Sequence, residues 1–119
     1  MRKLVYIMMA FGLLISCDDI VEVEDISNST VTILAPTDNA ELNQTTLMFS
    51  WESVEDAETY KLQIATPSFL EALQIVEDTT VTTQHFSKTL DYGTYEWRVR
   101  AENSSYHTAY TTHQFSIVE

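Results

Sequence analysis

Residues 95–101 alternate without a break. Tyr95, Trp97, Val99 and Ala101 are apolar, while Glu96, Arg98 and Arg100 between them are charged. A period of two puts every apolar side chain on one face only if the backbone is an extended strand, because a helix would spread the same residues around its axis. The pattern recurs. Leu47, Phe49 and Trp51 alternate with Met48 and Ser50, Tyr60, Leu62 and Ile64 with Lys61 and Gln63, and Phe115 and Ile117 with Gln114 and Ser116. Each stretch reads as a strand with one dry and one wet face. The 16 threonines favour strand over helix. Further strands are expected near 31–34 and 80–86, and the helical spacing of Phe69, Leu73 and Val76 allows one helical turn over 68–76.

Turn-forming clusters separate these stretches at 36–39, 53–58, 66–67, 91–94 and 103–107. About seven short strands with breaks at this spacing predict an all-β sandwich of two packed sheets. With 119 residues the chain has room for one such domain. Gly93 is the only glycine after the first 16 residues, and it stands before the most regular strand, where a tight turn calls for φ > 0.

The first 17 residues are of another kind. Arg2 and Lys3 precede twelve apolar or glycine residues, Leu4–Ile15. That run is too short to cross a bilayer, which needs about 20 helical residues, and it fits the apolar stretch of a signal peptide. Leu14-Ile15-Ser16-Cys17 resembles the bacterial lipobox, with an aliphatic residue at −3, a small residue at −1 and cysteine at +1. The resemblance implies cleavage before Cys17, lipidation of its thiol and attachment to a membrane. Cys17 is also the single cysteine, so no disulfide can form within one chain. The expected organisation is a leader over 1–16, a lipidated cysteine and acidic tether over 17–29, and the sandwich over 30–119.

Residues 18–28 contain five acids and neither glycine nor proline, which suits a solvated tether, and Ile20, Val21, Val23 and Ile26 leave an added edge strand open. The acidic patch opened by Asp18 and Asp19 resembles the surface-export signal of Bacteroidota-type lipoproteins. It implies an outer-membrane protein facing outward. A periplasm-facing position, or retention at the inner membrane as an aspartate after the cysteine implies in enterobacteria, is the alternative.

Leu90-Asp91-Tyr92-Gly93-Thr94-Tyr95-Glu96-Trp97-Arg98-Val99-Arg100-Ala101-Glu102-Asn103 resembles the corresponding stretch of fibronectin type III domains, an immunoglobulin-like β-sandwich. The resemblance covers about residues 30–119. It implies that Tyr95 is the tyrosine-corner residue, bonding back to backbone near Leu90, and that Trp51 is the buried tryptophan of the second strand. Tyr92 stands where the family has proline, and one residue is missing between Gly93 and Tyr95. The form GTYEWRVRA looks most like versions in Bacteroidota surface lipoproteins.

Charge removes several functions. The whole chain carries −12, and without Arg2 and Lys3 four cations face 18 acids, a net −14. Such a domain repels nucleic-acid backbones and anionic lipid surfaces. His85, His107 and His113 lack zinc spacing, and Glu52, Glu55, Asp56 and Glu58 lack the order of a calcium loop, so no metal and no cofactor are expected. No nucleophile-elbow motif is present, and a single small sandwich offers little cleft for paired carboxylates. A non-enzymatic protein is expected. Tyr92, Tyr106, His107 and Tyr110 fall at or near expected loops and are the candidate binding residues. The sequence thus points to an envelope lipoprotein presenting a binding or spacer module. A glycan-binding accessory of an outer-membrane uptake system is the alternative, and the ligand, protein or glycan, stays open.

Overall fold

The computed structural model describes residues 22–119. The expected leader, Cys17 and the Asp18–Asp19 pair lie outside the described residues. Among the described residues eight strands are present: β1 (Ile33–Ala35), β2 (Ala40–Leu42), β3 (Thr46–Trp51), β4 (Thr59–Thr66), β5 (Gln74–Val81), β6 (His85–Thr89), β7 (Gly93–Glu102) and β8 (Thr111–Ile117). They form a three-stranded sheet in the order β1-β3-β6 and a five-stranded sheet in the order β2-β8-β7-β4-β5. Neighbours are antiparallel except for β2 and β8, which run parallel with Ala40 opposite Phe115 and Leu42 opposite Ile117.

The alternating apolar residues meet between the sheets. Phe49 and Trp51 of β3 face Tyr60, Leu62 and Ile64 of β4, Tyr95, Trp97 and Val99 of β7, and Phe115 and Ile117 of β8, all of them buried. Phe49 meets Trp97 edge-on at 4.9 Å and Phe115 at 5.8 Å. Trp51 lies 6.2 Å from Trp97 and 5.7 Å from Tyr60. Packing of this kind adds about 0.5–1.5 kcal/mol per aromatic pair to the area removed from water. The indole Nε1–H groups of Trp51 and Trp97 are buried with no hydrogen-bond partner among the described residues.

Tyr95 forms the expected corner. Its hydroxyl donates to the Asp91 carbonyl at 2.8 Å, one residue on from the expected Leu90. The ring also stacks on Phe115 at 5.3 Å. Gly93 has φ +154°, a conformation side chains rarely adopt, and the Tyr95 ring lies over the space a Cβ would take, 3.7 Å away.

Three expectations are corrected, and one strand is added to the expected set. The strand expected over 80–86 is a connection between sheets: β5 ends at Val81, β6 begins at His85, and the chain bends between them. Residues 68–76 make no helical turn. The Leu73 amide donates to Thr66 O and the Phe69 amide to Glu96 Oε1, which closes a loop and delivers Gln74 into register opposite Thr66. The eighth strand, β2, is three residues held by β8 from the far side of the sheet, a pairing no local pattern announces. Packing also begins before residue 30. Ile26, assigned by sequence to the tether, is 3% exposed and joins the core beside the buried Val31.

Candidate functional site

The two ends of the sandwich differ in chemistry. At the end where β7 finishes, Asn103 Nδ2 donates to Glu24 O and Asp56 O, so the incoming N-terminal segment and the β3–β4 loop are held together there. That loop carries Glu52, Glu55, Asp56 and Glu58, all exposed, and Glu22, Glu24 and Asp25 add their charges nearby. Asp25 accepts from the Ser27 hydroxyl at 2.6 Å and the Ser27 amide at 2.9 Å, which holds its carboxyl below the usual aspartate range. At the other end, where β7 begins, the β4–β5 loop exposes Leu70 (92%) and Leu73 (88%), and the turn before Gly93 exposes Tyr92 (56%). Gly93 and Glu102 bound the ten-residue β7, and the two ends lie about 30 Å apart at the usual strand rise.

This polarity separates the candidate binding residues. Tyr92 stands at the apolar end, Tyr106 and His107 at the acidic end, so the four expected residues do not form one loop site. Tyr106 is fixed in a tight turn, its amide donating to Asn103 Oδ1 at 2.9 Å and its carbonyl accepting from the Asn103 amide. His107 Nδ1 lies 2.9 Å from Thr108 O and 3.5 Å from Arg100 Nη1. The shorter contact makes Nδ1–H a donor to the carbonyl, with the guanidinium as its neighbour. The histidines are dispersed. His85 opens β6 in the other sheet, and His113 Nδ1 bonds Pro36 O at 3.1 Å. No group of three His, Cys, Asp or Glu side chains is arranged to hold a metal ion among the described residues.

Tyr110 leads to a cluster that the sequence reading missed. The wet face of the five-stranded sheet is set by register: Lys61 pairs with Arg100 and Gln63 with Arg98 across β4 and β7. Arg98 Nε donates to Gln63 Oε1 at 2.8 Å. Its guanidinium carbon lies 4.1 Å from the centre of the Phe69 ring and 4.3 Å from that of Tyr110. Arg100 adds a second cation over Tyr110 at 4.9 Å and pairs with Glu102 at 2.8 Å. Lys61 pairs with Asp78 at 3.3 Å. Glu96, on the same face, makes no ion pair with Arg98; its carboxylate accepts from the Phe69 amide, whose ring lies over the guanidinium. The signal in the sequence was the arginine pair on the wet side of an alternating strand. Phe69 and Tyr110 could not be assigned to it before the β4–β7–β8 register was known.

No family model matches the chain, and no curated protein matches it. Solved structures do. Fibronectin(III)-like modules of Clostridium thermocellum CbhA superpose with a TM-score of 0.53 at 10% identity, over 74% of this chain and 95% of that one. A fibronectin type III domain derived from a human protein gives 0.58 at 13% identity, over 79% and 78% of the two chains. At such identities the likeness establishes the fold, a fibronectin type III-like β-sandwich, and leaves the ligand open.

Proposed function

We propose that this chain is a non-enzymatic lipoprotein of the cell envelope that holds one fibronectin type III-like module away from the membrane as a binding or spacing element. The supporting observation is the polarity of the sandwich. The N-terminal segment enters at the acidic end, fixed by Asn103, and Leu70, Leu73 and Tyr92 are exposed at the opposite end. A chain anchored through lipid on Cys17 presents that apolar end outward. The acidic end, turned toward the bilayer, is repelled by anionic headgroups and keeps the domain upright.

Lipid on Cys17 supplies the anchor in this reading, since one acyl chain binds marginally and two or more hold stably. The acidic residues from Asp18 and Asp19 onward serve as the export signal that brings the protein to the outer membrane with its module facing out. Protease added to intact cells is expected to remove the module. Full protection until lysis overturns the outward placement and puts the module in the periplasm. Replacing Asp18 and Asp19 by serine and alanine is expected to raise the protected fraction.

A further inference from the structure

We propose that the wet face of the five-stranded sheet, centred on Arg98, binds an acidic side chain of a protein partner whose neighbouring apolar side chains rest on Leu70 and Leu73. The proposal rests on the reading of the domain as a presented module and names the partner's chemistry.

Charge distribution is the first support. Beyond the leader the chain has four cations, and three of them, Lys61, Arg98 and Arg100, lie on this one face. Asp78, Glu96 and Glu102 share the face, so it is formally neutral in a chain of net charge −12. Lys61, Lys88 and Arg100 each have a carboxylate at 3.3 Å or closer. Among the described residues Arg98 has none, despite the excess of acids around it. Glu96, its neighbour on the same face of β7, is engaged by the Phe69 amide.

Rigidity is the second. Arg98 is held through Nε by Gln63 and rests against two rings, so its two terminal nitrogens are placed as a fork before any ligand arrives. A planar fork pairs a carboxylate through two parallel N–H···O bonds, and a side chain already ordered loses less entropy on binding.

The third support selects protein over glycan. A sugar stacks on a free aromatic face, yet Phe69 and Tyr110 each already have a face covered by a guanidinium. What the Phe69 loop offers in addition is aliphatic: Leu70 and Leu73 are almost fully exposed, and such side chains are buried readily in the dry centre of a protein interface. A long polyanion would also meet the repulsion of the remaining acids, whereas one carboxylate amid apolar groups does not.

The test uses the full chain in detergent and short synthetic peptides carrying one aspartate between leucines, each matched by an asparagine counterpart. Titration is expected to show binding of the aspartate peptides, weakened by added salt, and about tenfold weaker binding of the asparagine forms. Arg98→Gln should weaken the aspartate peptides by a similar factor and leave the asparagine peptides unchanged. Arg98→Lys, which keeps the charge and loses the fork, should fall between. Leu73→Ser should weaken both peptide sets. Thermal melting of each variant separates lost binding from lost fold, and if Arg98→Gln does not fold, Arg98→Lys and the salt series decide. Equal affinity for aspartate and asparagine peptides, or no binding of either, overturns the proposal. Arg98-dependent binding of polygalacturonate without peptide binding overturns it in favour of an acidic glycan. None of these outcomes touches the anchored-module reading, which lipid labelling and proteolysis of intact cells test on their own.

Discussion

The Tyr95 hydroxyl donates to the carbonyl of Asp91, four residues earlier in the chain, at 2.8 Å, and the same ring covers Gly93 between them. Tyr95→Phe keeps the ring and its stack on Phe115 and removes only this bond. Asp91 itself is exposed, so water can reach its carbonyl once the hydroxyl is gone. The expected loss is about 1 kcal/mol, the ordinary net worth of such a bond, read as a lower urea midpoint with an unchanged slope.

The same hydroxyl sets an alkaline limit. Burial, helped by the negative charge of Asp91, raises the Tyr95 hydroxyl above its ordinary 10.0. A group whose pKa is raised in the folded state contributes stability that is complete below its unfolded pKa and disappears as pH rises through the folded one. Wild-type stability is therefore expected to fall above about pH 10, and the fall should be shallower in Tyr95→Phe. Parallel curves for the two proteins would remove Tyr95 as the cause.

Trp51 is 1% exposed and packs on both Tyr60 and Trp97. Trp51→Ala should cost about 3–5 kcal/mol, a large share of the roughly 5–15 kcal/mol that holds a domain of this size. Glu55 lies exposed in the acidic loop, and Glu55→Ala should change stability by less than about 0.5 kcal/mol. Urea unfolding followed by circular dichroism distinguishes the two. A harmless Trp51→Ala would mean that the aromatic cluster between the sheets is not what holds them together.

For the anchor, Cys17→Ala is expected to give an unprocessed precursor that takes up no fatty-acid probe. Label persisting on the alanine variant would place any lipid elsewhere.

How far the sequence could be read depended on the range of each interaction. Tyr95, Trp97 and Val99 declared both strand and facing, because a period of two is local and the buried side is the apolar side. Ile26 was hidden by composition: the acids around it describe a solvated tether, while its side chain packs into the core cluster between the sheets. The helical spacing of Phe69, Leu73 and Val76 misled for a related reason. Phe69 turns to the Arg98 guanidinium and Leu73 to solvent, so their spacing reports no common face. The Arg98 cluster joins residues from β4, the β4–β5 loop, β7 and the position just before β8, and only the register of the sheet brings them together.

The paired indoles between the sheets give this protein its own optical signature. Trp51 and Trp97 are its only tryptophans, both almost wholly excluded from water, with rings 6.2 Å apart and inclined at 49°. Indole in an apolar cage fluoresces at shorter wavelength than indole in water, and neighbouring tilted rings couple their transitions into a near-ultraviolet dichroic band. Both signals vanish when the sheets part, so the separation of one sheet from the other can be followed by light alone, on intact protein and without an attached dye.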